Sequence, residues 1–254
     1  MASELYKKNH FTNQNIPYLF NTEITEYDMK DAGFSITREF QLLPDDVIKS
    51  LIPIAKEKRK KKLGLIQRDD ASYREATKKG FERARKLFFE ENDLDDSDII
   101  AIKKDAIFTS KRCNKQQIGK YLLFREKNHY TSFIQLRKDF EIYYNPTQID
   151  VKGISDDMIK YHDHYLLDFI RKFFEMMETE DEATVLRYLK RFSNKYKRRE
   201  LEVGFYREFN AKSELIIVGD YSLEDFENYD DIKEYLDIRY NYYEVLMKFI
   251  QILL

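Results

Sequence analysis

Residues 99–112, IIAIKKDAIFTSKR, decide the fold. Apolar and polar residues alternate on both sides of a short polar interruption, the pattern of two antiparallel strands joined by a tight turn. Asp105 falls inside this hairpin. Outward from it, YLLFREKNHYTSFIQLR (121–137), FEIYYN (140–145) and IDVKG (149–153) continue the alternation with short polar turns between them, and together they read as one strand meander. Upstream, residues 15–27 are rich in Ile, Thr, Tyr and Phe and predict a strand ending near Asp28, with helical patterning from Met29. A carboxylate therefore stands at the end of one strand and a second inside a hairpin.

Helical spacing fills the intervals. Pro44-Asp45-Asp46 opens a helix with acidic residues in its first turn, and Val47, Leu51 and Ile54 carry its apolar face towards Gly64. From 70 to 91, Tyr73, Ala76, Thr77, Phe81, Ala84, Leu87 and Phe88 make a second amphipathic stripe, closed by the polar break NDLDDS (92–97). Beyond Gly153 the pattern returns to helix at 157–178, 182–196 and 223–254. The class is α+β: an antiparallel sheet flanked by helices, followed by a mostly helical C-terminal part.

Composition sets the bounds. A chain of 254 residues with 43% hydrophobic content fills a core, and seven Gly and four Pro leave no flexible linker, so one compact unit is expected. Cys113 is the only cysteine, which excludes an internal disulfide and a thiolate cluster and fits a reducing compartment. The N-terminus lacks an apolar signal core, and no stretch approaches the ~18 apolar residues of a membrane span. The expected location is the cytoplasm, including that of an infected cell, with no membrane partner.

The net charge of −2 is uninformative, but its distribution is uneven. Basic runs lie at 56–62 (KEKRKKK), at Lys103, Lys104, Lys111 and Arg112, and at 190–199 (KRFSNKYKRR), against an acidic stretch at 220–237. Such runs are solvated helix faces unless position makes them phosphate contacts. His162 and His164 are two apart on a helical pattern, point to different faces and share no zinc. A Gly-rich phosphate loop, a G-x-S-x-G elbow and an H-E-x-x-H helix are all missing, which removes P-loop and common hydrolase mechanisms.

The chemistry rests on the two aspartates. Read singly, each is a turn residue or an ion-pair partner. On adjacent strands two such carboxylates can jointly bind a divalent cation, and Mg²⁺ in particular takes few carboxylates alongside phosphate and water. That preference belongs to nucleotidyl transfer, where metals clamp the attacking and departing oxygens.

Order and surroundings resemble the polymerase half of family B DNA polymerases. The first palm motif of that family, D-x-x-S-L-Y-P-S, is similar to DMKDAGFS (28–35), which keeps Asp28 and Ser35 in register while Gly33 replaces the Tyr beneath the incoming sugar. The fingers motif K-x-x-x-N-S-x-Y-G is echoed by KEKRKKKLG (56–64), with Lys56 and Gly64 at its ends and without the Asn and Tyr. Y-G-D-T-D-S aligns with AIKKDAIF, where Asp105 takes the metal-binding second position and Lys103 replaces the first Asp. EKNHY (Lys127, Tyr130) and DVKGI (Lys152, Gly153) follow in the places of the backbone-gripping K-K-x-Y and K-G elements.

The resemblance spans about residues 26–155 and implies a palm-like domain over 1–155 with rudimentary fingers at about 36–92. Residues 156–254 would then form a helical thumb-like subdomain. The exonuclease half is missing, so proofreading is excluded, and this cut-down form points to a phage or a mobile element. The implied activity is template-directed nucleotidyl transfer, as a minimal DNA polymerase or primase-like enzyme. Asp28 and Asp105 would hold Mg²⁺ or Mn²⁺; Lys56, Arg59 and Gly33 would meet the nucleoside triphosphate. Lys127, Tyr130, Lys152, Lys195, Lys197 and Arg198 would grip a DNA or RNA primer–template. The alternative is a catalytically inactive palm-like protein that binds nucleic acid or serves a replication or transcription complex.

Overall fold

The chain folds, in a computed structural model that describes residues 4–137, 140–153, 167–198, 200, 201, 217, 218, 221 and 222, as an α+β protein. After a single 3₁₀ turn at Glu4–Lys7, the elements are β1 (His10–Thr12), β2 (Tyr18–Leu19), β3 (Ile24–Met29), α1 (Ala32–Glu39), α2 (Asp45–Leu51), α3 (Lys56–Asp69) and α4 (Ala71–Glu91). They continue with β4 (Ile99–Lys103), β5 (Ala106–Thr109), β6 (Phe124–Tyr130), β7 (Ser132–Arg137), β8 (Phe140–Asn145) and β9 (Gln148–Lys152). The last are α5 (Asp168–Thr179), α6 (Glu182–Lys197) and the short strands β10 (Ile217–Val218) and β11 (Tyr221–Ser222). Contacts divide the chain into two units, Met1–Ile16 with Thr22–Tyr130, and Pro17–Asn21 with Thr131–Leu254.

The first unit is a five-stranded antiparallel sheet in the order β1-β4-β5-β3-β6. Strand alternation turns Tyr27, Met29, Ile102, Ile107 and Phe124 to one face, where Ile36 of α1 and Phe81, Ala84, Phe88 and Phe89 of α4 meet them in one buried cluster. Phe88 stacks on Phe124 at 4.4 Å, and burial of side chains of this size contributes about 1.5–3 kcal/mol each. The α4 stripe was legible as written, and Asp70 caps the helix by accepting from the Ser72 and Tyr73 amides at 2.8 and 3.1 Å. Cys113 is buried, with its amide donating to the Tyr27 hydroxyl at 2.8 Å.

Two expectations change. The helix read from Pro44 to Gly64 is two helices, because Pro53 lacks an amide hydrogen and disfavours helix in the residue before it; α2 stops at Leu51, and α3 starts at Lys56 and runs past Gly64 to Asp69. The single strand meander is two sheets. β6 pairs with β3 in the first unit, whereas β2, β7, β8 and β9 form a four-stranded antiparallel sheet in the second. Apart from Pro17–Asn21, the division by contacts therefore falls between Tyr130 and Thr131, where the resemblance implies a boundary after residue 155.

In the second unit, Tyr144 of β8 stacks on Phe174 of α5 at 4.5 Å, and Phe169 packs on Phe192 of α6 at 4.3 Å. The helices expected at 157–178 and 182–196 correspond to α5, from Asp168, and to α6. His162, His164, Arg199, the helix expected at 223–254 and the side chain of Lys197 lie outside the described residues. Among the described residues no helix is long and apolar enough to cross a membrane.

Candidate functional site

β3 and the β4–β5 hairpin bring the two predicted aspartates side by side. Lys103 pairs with Ala106, so the hairpin turns on only Lys104 and Asp105, and Lys104 takes the left-handed φ of 59° that such a tight turn requires. Asp28 pairs with Ala106 on the neighbouring strand, and the Met29 amide donates to the Asp105 carbonyl at 3.0 Å. The turn is held from two other directions. The Lys104 amide donates to the Asn9 carbonyl at 2.6 Å, and buried Arg85 donates to the Lys104 carbonyl at 2.8 Å.

Electrostatics follow from this placement. Burial pushes the Asp105 carboxyl above the ordinary carboxylate value; its own backbone amide opposes that rise, and the neighbouring Asp28 charge adds to it. Lys104 and Lys127 pull in the other direction. Asp28 has a cation of its own in Arg125, whose Nη2 lies 3.4 Å from the carboxylate.

A third carboxylate, which the sequence reading missed, shares the face. Glu26 precedes Asp28 by two residues on β3 and is 2% exposed. It accepts from Lys127 Nζ at 3.0 Å, Asn128 Nδ2 at 2.6 Å and the Tyr130 hydroxyl at 3.4 Å. A bulge opposite Glu26 and Tyr27 leaves Lys127 as the extra residue of β6, so that consecutive side chains reach one carboxylate. Three donors satisfy a buried charge that would otherwise be costly.

The remaining predicted residues fall into three groups. Lys56 opens α3 and is exposed, and a side chain at Gly33 would meet nothing within 4 Å. Arg59 is committed to the fold: it pairs with the Asp31 carboxylate, donates to the Ile54 carbonyl at 2.8 Å and lies over the Phe34 ring at 4.3 Å. Tyr130 is buried and stacked on Phe108, so its ring holds the sheet and offers no surface to a nucleic-acid backbone. In the second unit, Lys152 lies 4.0 Å from Asp150, and Lys195 and Arg198 are exposed at the end of α6, the helix that also carries Lys197. Lys103, which the resemblance aligns with the first Asp of the hairpin motif, donates to Thr12 Oγ1 at 3.2 Å.

Among the described residues no group of three or more His, Cys, Asp and Glu is placed to hold a metal. The donor set that exists is the pair Asp28 and Asp105. Two neighbouring carboxylates, of which Asp105 is raised in pKa first by burial and then by the Asp28 charge, fit Mg²⁺ or Mn²⁺, which complete their shells with water and phosphate oxygens instead of a protein cage.

A family model described as the Bacteriophage PBS1 gene 130 protein matches residues 1–254. The chain belongs to that phage protein family. Both units lie within the match, so the aspartate pair of the first and the basic helix of the second are parts of one phage gene 130 family chain. A search of curated proteins finds no match.

Proposed function

We infer that this phage protein is a palm-like, metal-dependent nucleotidyltransferase. The observation that carries the reading is Asp28 opposite Ala106, beside the two-residue turn that presents Asp105. The order of elements supports it too, with a strand ending in one aspartate, then helices, then a hairpin bearing the second. A divalent cation bound there would supply charge stabilisation for phosphoryl transfer. The protein's share is positioning: Asp28 and Asp105 fix the metal-binding edge, Lys56 offers an exposed ammonium to a triphosphate, and the open space at Gly33 leaves a sugar 2′-hydroxyl unopposed. Lys127, Lys152, Lys195, Lys197 and Arg198 would add sequence-independent grip on a primer–template. Primer extension on DNA and RNA templates with Mg²⁺ or Mn²⁺ tests the reading. Extension lost in both Asp28→Ala and Asp105→Ala supports it, and a folded wild type that extends nothing overturns it.

One observation favours a second reading. Arg125 already sits against Asp28, and Arg59, the guanidinium expected at the triphosphate, is spent inside the fold. A nucleic-acid-binding subunit of a replication or transcription complex in the infected cytoplasm would use the same basic surfaces without chemistry. Binding that is steeply salt-dependent yet indifferent to Mg²⁺ and nucleotide distinguishes it.

A further inference from the structure

The first unit holds a cavity of about 320 Å³ beneath the β4–β5 turn, walled by β1, the end of α3 and the first three turns of α4. Its size is within the roughly 300–1,000 Å³ of small-ligand pockets. Arg74, Lys78 and Lys104 face it, and among the described residues none of the three is held in an ion pair and no carboxylate lines the wall. Cations gathered around one concavity, with only the neighbouring Asp105 charge acting on Lys104, raise its local positive potential and suit it to an anion.

The wall is also built from within. Arg85, fully buried, donates to the Asn9 Oδ1 at 3.0 Å, to the Lys104 carbonyl at 2.8 Å and to the Tyr6 carbonyl at 2.8 Å. With its oxygen occupied, the Asn9 amide presents its nitrogen as the donor end, and Gln67 adds a second amide to the lining. Lys104 is held in the left-handed region, with its ammonium 5.2 Å above the Phe81 ring.

We propose that this cavity binds the polyphosphate of a nucleotide, through Arg74, Lys78, Lys104 and the Asn9 amide. The choice of a nucleotide rests on the nucleotidyltransferase reading and moves its triphosphate contact from Lys56, at the opposite end of α3, to this cavity; the affinity for polyphosphate rests on the cavity alone. A compact tri- or diphosphate suits three cations converging on one open concavity, whereas a nucleic-acid backbone is met by cations spread along a stripe.

Calorimetric titration without metal tests the site, using inorganic tripolyphosphate, ATP and a single-stranded oligonucleotide at one ionic strength. Tripolyphosphate and ATP should bind the wild-type protein. Arg74→Gln, Lys78→Gln and Lys104→Gly should each weaken both by about tenfold, the worth of one charge-assisted hydrogen bond. Arg74 and Lys78 are exposed on α4, and glycine adopts the left-handed φ of the turn freely, so all three variants keep the fold. Lys79→Gln, which removes an equal charge outside the cavity, should change binding less than twofold. Asp105→Asn should still bind tripolyphosphate. That result alongside a wild type inactive in primer extension would remove the enzyme reading and leave the cavity standing. Failure of tripolyphosphate to bind, equal losses from Lys79→Gln and Lys78→Gln, or binding of the oligonucleotide alone would each overturn the proposal.

Discussion

The backbone amide of Met29 donates to the carbonyl oxygen of Asp105 at 3.0 Å, which ties the end of β3 to the tip of the β4–β5 hairpin. Asp28 and Asp105 are thereby held as like charges on one edge. Because the Asp105 carboxyl titrates above its ordinary value, the native state binds its proton more tightly than the unfolded chain does. Stability therefore falls as pH rises from the unfolded value, about 4, through the folded one, and the penalty is complete above the folded value.

Asp105→Asn should accordingly melt higher than the wild type at pH 7, with the gap closing as pH falls to about 4. Adding Mg²⁺ should raise the wild-type midpoint and leave the variant unmoved, since a ligand stabilises only the state that binds it. Thermal unfolding across pH, with and without Mg²⁺, reads both effects. A variant that melts below the wild type at pH 7 would show that the Asp105 charge is satisfied within the fold.

Arg59→Ala should lower stability by about 2–3 kcal/mol, because it strands the Asp31 carboxylate and removes the fork that clasps the Ile54 carbonyl and covers Phe34. Arg59→Lys restores the charge without the planar fork and should recover less than half of that loss. Urea unfolding checks it through a shifted midpoint at constant m. A residue reserved for a triphosphate would give the opposite outcome, with unchanged stability and weakened nucleotide binding.

The contrast between Arg59 and Asp105 marks how far the sequence could be read. Alternation around Lys104-Asp105 announced the hairpin, and the apolar stripe from Tyr73 to Phe88 announced α4, because both patterns are local. Partner choice is not local. Nothing in the alternation of residues 121–153 says that β6 joins β3 while β7 joins β2, and the three-residue strand β1 is too short to carry a period at all. Arg59 sat in a run of lysines that reads as solvated, and only the third dimension brings Asp31 and Phe34 against it. Glu26 was likewise invisible as a buried charge until the β6 bulge delivered Lys127 and Asn128 together.

Gly80→Ala should destabilise the first unit by about 1–3 kcal/mol, although alanine is the better helix former by about 1 kcal/mol. A Cβ at this point of α4 would overlap Ile36 Cγ2 of α1, which is fully buried and branched at Cβ, and so has no alternative rotamer to retreat into. The double variant with Ile36→Ala should be less destabilised than the sum of the two single changes. Chemical denaturation of the four proteins measures that coupling, and simple additivity would mean the two helices separate without cost.

Lys195 and Arg198 separate a structural role from a nucleic-acid role most sharply. Both are exposed, three residues apart on one face at the C-terminal end of α6. Cations at a helix C-terminus are favourable for the helix by about 0.3–1 kcal/mol each, so their presence alone is accounted for without any partner. If they also grip phosphates, replacing both with alanine should reduce the slope of log K against log salt on duplex DNA by about 1.8, from two released counterions at about 0.9 each. Fluorescence anisotropy between roughly 50 and 200 mM salt resolves a change of that size. A slope reduced by that amount places the end of α6 on the backbone of the nucleic acid. An unchanged slope with a slightly lower melting point assigns both side chains to the helix alone, and the grip must then come from Lys127, Lys152 or Lys197.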